Sequence, residues 1–273
     1  MVKHKRDDYV LSTKVGRIIL DEIETGQREF GEKGGLFEFG LPNKIIYDYS
    51  ADGTKRSIDD SLKRMGVDRF DFVWIHDIAQ DFHGDEWLSQ FEIARKGAMR
   101  TLDQLRDEGV IKGWGLGVNR VEPVELTLGL SNVRPDGMLL AGRYSLLDHE
   151  SALQRLMPLA EEKGVGIVVG GPYSSGILAG GIHFEYAEYS PAIIAKVDRI
   201  KALADQYSMP IKAAALQFAL AHPAAVAAIP GASKQQRIRE DLDAINTEVP
   251  DDFWRDLRKS GSVAANAPLP IDR

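Results

Sequence analysis

At 273 residues and 44% hydrophobic, the chain is long enough to bury one large α/β core, and a single domain over 1–273 is the default reading. A net charge of −7, with basic residues scattered among acids, leaves no footprint for nucleic acid or an anionic membrane surface. The absence of cysteine excludes disulfides and thiol nucleophiles, the six histidines lack short ligand spacing, and no apolar run of about 18 residues occurs, so a cytoplasmic protein without metal is expected.

The run YVLSTKVGR, residues 9–17, predicts a short buried strand that ends on a cation, Lys14. A buried strand finishing on a charge leaves two readings: Lys14 reaches water at the strand end, or its charge is used at a mouth. The polar, Gly-rich stretch 18–44 is expected to be a functional or mobile loop. A helix over 55–65 stops at Gly66, and FDFVWIH over 70–76 predicts a strand ending on His76. A helix over 91–108 is capped at Gly109. Strand 113–118 precedes Asn119, followed by helix 121–130, strand 137–141, helix 152–163 closed by Gly164, and strand 166–169. Helices over 192–206 and 211–221, strand 225–229 and a helix over 234–245 complete the series, the last begun by a capping box from Ser233 to Gln236.

Six apolar strands separated by helices predict a parallel sheet with right-handed crossovers. A doubly wound sheet tolerates six strands and a closed (β/α)8 barrel needs eight, while no G-x-G-x-x-G opens a strand-to-helix turn. Placement favours the barrel. Lys14, His76 and Asn119 stand at or just past the C-terminal ends of successive strands, the face on which barrel enzymes assemble their sites. Singly, each has a plainer reading, as a snorkelling terminus, a hydrogen-bonded core histidine and a turn former.

STKVG with Lys14, FVWIHD with His76, GLGVN with Asn119 and IPGASKQQRIRED before the last helix resemble the aldo-keto reductases, which are (β/α)8 TIM barrels. YVLSTKVGR, DYSADGTKRSIDDSLKRMGVDRFD, GGPYSSGIL and APLP resemble more narrowly the aldose dehydrogenase subgroup, with D-threo-aldose or L-fucose 1-dehydrogenase and pyridoxal 4-dehydrogenase. The resemblance implies an NAD(P)-dependent oxidoreductase acting on a small sugar or aldehyde, with oxidation of an aldose at C1 to a lactone as the leading expectation. Pyridoxal oxidation, or a non-catalytic binding role like that of potassium channel β subunits, stands as the alternative.

By the same resemblance, Lys14 matches the lysine that, paired with an aspartate, lowers the pKa of a tyrosine acid/base, and His76 matches the histidine that orients the substrate oxygen. Asn119 matches the residue holding the nicotinamide carboxamide. Tyr173, Ser174 and Gly176, with the turn Pro230, Gly231 and Ala232 and then Arg237, would take the cofactor phosphates. Gly231 stands where NADP-dependent relatives carry a lysine, and Asp241 where an asparagine is frequent, which favours NAD over NADP. The family aspartate and tyrosine precede the lysine strand, so the first two β/α units are expected to be absent from this chain. Tyr47 and Tyr49 are expected to pack or face solvent instead of replacing that tyrosine.

Overall fold

The computed structural model describes residues 2–23, 43–179, 190–232 and 234–272. They form two compact units, one ending at Trp114 and the other beginning at Gly115.

In the first unit, β1 (Ser12–Val15) lies parallel to a later strand, whereas β2 (Arg17–Ile23) turns away and pairs antiparallel with β3 (Asn43–Tyr47), in register Arg17 to Tyr47. Only Val15 of β1 is buried and Lys14 is exposed, which corrects the expected buried strand over 9–17. The stretch expected as an irregular loop is at both ends a β-hairpin arm. Its central residues, 24–42, lie outside the described residues. The run Arg17–Ile–Ile–Leu–Asp–Glu–Ile does not alternate in sequence, which is why the strand was not legible; in the fold Ile18 is buried and Ile19 exposed, on opposite faces of the strand.

Helix α1 (Ala51–Met65) starts where Ser50 Oγ accepts from Gly53 N at 3.1 Å, and ends at Gly66 in the left-handed conformation, as expected. Strand β4 (Phe72–His76) is β1's partner, with Lys14 opposite Trp74. The carboxylate of Asp71 ties the two strands: Oδ2 accepts from Arg6 Nη2 at 2.6 Å and from Leu11 N at 2.8 Å, and Oδ1 meets Lys112 Nζ at 2.9 Å. Burial would raise its pKa, but these donors outweigh it and hold the carboxyl well below the usual range.

After α2 (Gln80–His83), the helix expected over 91–108 is two, α3 (Trp87–Lys96) and α4 (Ala98–Asp107), broken at Gly97. There Ala98 N donates to Tyr49 O at 3.0 Å, and a Cβ on Gly97 would lie 2.6 Å from that same oxygen. The break is a tertiary contact that helix periodicity does not encode.

Strands β5 (Gly113–Val118), β6 (Gly137–Ala141), β7 (Gly166–Gly170) and β8 (Ala225–Ile229) are parallel where they pair. Gly115 is obligatory between β5 and β6, since a Cβ there would stand 1.6 Å from Gly137 O. Not every strand is covered on both faces: Val226 and Ile229 of β8 are exposed. The helices of this second unit are α5 (Glu122–Leu128), α6 (Glu150–Gln154), α7 (Leu156–Lys163), α8 (Pro191–Gln206), α9 (Ile211–Ala219), α10 (Gln235–Asn246) and α11 (Asp251–Lys259). The single helix expected over 152–163 divides at Arg155, whose φ of −145° leaves the helical region. Helix α10 has Lys234 as its N-cap with no side-chain cap bond, and Ser233 of the expected capping box lies outside the described residues. Helix α11 went unread, although acids open it and bases close it; it buries Phe253, Trp254 and Leu257.

Candidate active site

Two clusters of polar residues gather at strand ends, one in each unit. In the first, β4 delivers a half-buried His76 and the chain then turns sharply at Asp77, a non-glycine residue at φ 53° and 5% exposed. Oδ2 of Asp77 lies 3.1 Å from His76 Nε2 and forms an ion pair with Arg17. Arg17 comes from the root of β2, and its guanidinium carbon stands 5.5 Å from the Tyr47 ring and 4.7 Å from that of Phe82, within cation–π reach of both.

Tyr49 closes the cluster from beneath. Its hydroxyl donates to His76 O at 2.9 Å and therefore accepts from His83 Nε2, also at 2.9 Å. The ring is 1% exposed and lies over Gly16, where a Cβ would come within 2.3 Å of it. Burial, then the negative charge of Asp77, push the phenol's pKa well above its usual value. Tyr49 is a packed hydrogen-bond donor, in line with the expectation that it packs, while Tyr47 is 44% exposed.

Charge here follows burial. Desolvation lowers His76 to about 3, with Arg17 and Lys14 adding to the fall, so the ring is neutral at physiological pH. Desolvation raises Asp77 to about 6; Arg17 opposes it, Asp81 adds to the rise, and Lys14 opposes. A neutral imidazole beside a cation can hold an oxygen by a hydrogen bond while negative charge develops on it.

In the second unit, Asn119 follows β5, and its carbonyl accepts from Arg143 Nε at 2.8 Å; Arg143 Nη1 is held by Asp148 at 2.6 Å. After β7 the turn places Ser174 and Ser175 at φ 49° and 57° and Gly176 at 97°. Ser174 is buried, its Oγ 2.8 Å from Ser145 Oγ. Tyr173 OH donates to Asp241 Oδ1 at 2.8 Å, and Lys212 Nζ meets the same oxygen at 2.7 Å. After β8, Pro230, Gly231 and Ala232 lead to α10, and Arg237 is exposed on its first turn. A Cβ on Gly231 would meet nothing within 4 Å, so the backbone before this twelve-residue helix is open to an anion. Left-handed turn residues, an open glycine and a long helix start fit a dinucleotide's phosphates.

Each expected residue falls in one of these clusters: Lys14 and His76 in the first, and Asn119, Tyr173, Ser174, Gly176, Pro230, Gly231, Ala232, Arg237 and Asp241 in the second. Asp241 is 9% exposed with its carboxylate occupied by Tyr173 and Lys212, so any influence it has on a coenzyme passes through those neighbours. Sequence reading missed Arg17, Asp77, His83, Arg143 and Lys212. Asp77 carried a signal, since it directly follows the strand end His76 already singled out. Among the described residues no cluster of three or more potential ligands could hold a metal, and no helix is long and apolar enough to cross a membrane.

The profile of the Aldo/keto reductase family matches residues 1–261. The chain belongs to the aldo-keto reductase family. Among its relatives is a pyridoxal 4-dehydrogenase from Microbacterium luteolum, 36% identical over 97% of this chain and 79% of the relative. A D-threo-aldose 1-dehydrogenase from a Pseudomonas species is 27% identical over 93% of this chain and 75% of its own length. An aldo-keto reductase from Bacillus halodurans, solved in its holo form, superposes with a TM-score of 0.66 over 100% of this chain and 78% of its own, at 24% identity, and shares the fold. This aldo-keto reductase is thus an α/β oxidoreductase of the TIM-barrel type, of a family that works with NAD or NADP.

Proposed function

We propose that this aldo-keto reductase oxidises the anomeric carbon of an aldose to a lactone, with NAD as coenzyme and with residues 1–273 acting as one domain in the cytoplasm. The observation that carries the reading is the strand end itself: His76, neutral and half-buried, under the charge of Lys14. Oxidation removes a hydride from C1 and a proton from the C1 hydroxyl, and leaves a carbonyl. His76 holds that oxygen by a hydrogen bond, and Lys14 supplies the cation that favours loss of the proton, which leaves to solvent water. When bound, the nicotinamide accepts the hydride. Asn119 would hold its carboxamide; the turn of Tyr173, Ser174 and Gly176, with Pro230, Gly231, Ala232 and Arg237, would hold the phosphates. Gly231 in place of a cation, and Asp241 beside Lys212, support NAD over NADP.

The 36% identity to a pyridoxal 4-dehydrogenase favours a second substrate, and the two readings meet in one chemistry. An aldose and pyridoxal each carry a hydroxyl within ring-closing reach of an aldehyde, so each forms a cyclic hemiacetal whose oxidation gives a lactone. A panel of aldoses and pyridoxal, each with NAD and with NADP, tests the proposal through the absorbance of reduced nicotinamide and the mass of the product. Aldose-dependent reduction of NAD with a lactone product is expected. Tight coenzyme binding without turnover of any substrate would replace the enzyme reading with a binding role.

A further inference from the structure

A hydroxyl group has one hydrogen to give and two lone pairs with which to accept. Ser145, in the loop after β6, uses all three. Its Oγ accepts from Leu147 N at 3.3 Å and from Asp148 N at 3.2 Å, and it lies 2.8 Å from Ser174 Oγ. Main-chain N–H groups only donate, so both lone pairs of Ser145 are taken and its hydrogen goes to Ser174, which accepts it.

Ser145 is held from every side. It is fully buried, its N donates to Asp148 O at 2.8 Å, and its carbonyl lies 2.8 Å from His149 Nδ1. His149 Nε2 accepts from Ala264 N at 3.0 Å, so the ring, which burial keeps neutral, carries its one hydrogen on Nδ1 and donates it to Ser145 O. Backbone groups thus fix the direction of donation from Ala264 through to Ser174.

The consequence falls on Ser174. Its oxygen is engaged as an acceptor and its own hydrogen is left over; among the described residues no further hydrogen bond takes it. Ser174 is 4% exposed, whereas Gly171 and Ser175 near it are exposed, so this hydrogen sits just beneath the surface of the left-handed turn after β7. A donor with so little access to water is satisfied by a strong acceptor that a ligand brings, and a phosphate oxygen is one.

We propose that Ser145 is a positioning residue for the coenzyme: by giving its hydrogen to Ser174 Oγ, it leaves the Ser174 O–H as the donor that meets a phosphate oxygen. This rests on the reading of the turn as a phosphate site given above.

Calorimetric titration of the full chain with NAD tests it. Ser174→Ala should weaken binding about tenfold, as loss of one hydrogen bond to a charged group would. Ser145→Ala changes a fully buried residue and should still weaken NAD by about threefold or more, because the Ser174 hydroxyl is no longer oriented. The double variant should bind no more weakly than Ser174→Ala alone, since nothing is left for Ser145 to direct. Ser145→Cys keeps the shape of the side chain with a weak donor and acceptor in place of the hydroxyl; it should also weaken NAD, and carries the same comparison if Ser145→Ala does not fold. Wild-type affinity in the Ser145 variants, or losses that add in the double variant, would overturn the proposal and leave the turn standing as a phosphate site. Wild-type affinity in Ser174→Ala would remove Ser174 from the coenzyme site and this proposal with it.

Discussion

The hydroxyl of Tyr49 donates to the main-chain carbonyl of His76 at 2.9 Å, so the residue that ends β4 is held from below by a buried phenol. Tyr49→Phe deletes this bond and leaves both the carbonyl and His83 short of a partner. The expected cost is about 1–2 kcal/mol in urea unfolding, with a lower kcat as the His76 backbone loosens. An unchanged unfolding midpoint would show that water replaces the phenol at no cost.

Lys14→Met and His76→Ala should each lower kcat by about 10²-fold while coenzyme affinity, read by tryptophan fluorescence, stays near wild type. Wild-type turnover in either variant would remove the role assigned to that residue.

Acid stability should depend on Asp71. Its folded-state pKa is depressed, so its contribution is fully present above the unfolded value of about 4 and is lost as pH falls through the folded one. Asp71→Asn strands Arg6 and should cost about 3 kcal/mol at neutral pH. Unfolding measured from neutral to acid pH should then show a smaller decline in the variant than in the wild type. Parallel declines would place the acid sensitivity elsewhere.

The space above Gly231 lets Gly231→Lys enter without a clash. The added cation should shift the affinity ratio toward NADP by about tenfold, as a charge-assisted contact to the 2′-phosphate would. A wild type that already prefers NADP would refute the NAD assignment.

What could be read in advance was what local chemistry dictates. The strands Gly113–Val118, Gly137–Ala141 and Ala225–Ile229 were legible to the residue, because apolar runs bounded by turn formers leave little choice. Gly66 and Gly164 marked helix ends for the same reason, and the family motifs led to Lys14, His76 and Asn119. The break at Gly97 was not legible because its cause, the carbonyl of Tyr49, is 48 positions away in sequence. Asp77 was passed over because its importance lies in a backbone angle and in a partner, Arg17, that only the hairpin brings to it.

That hairpin has an architectural consequence. Gly16 O accepts from Asp48 N at 3.0 Å and Arg17 sits opposite Tyr47, so both roots are anchored immediately beside the residues that surround His76. The two anchored arms, Arg17–Ile23 and Asn43–Tyr47, thus tie the position of Arg17 to that of Tyr47 beside the strand end.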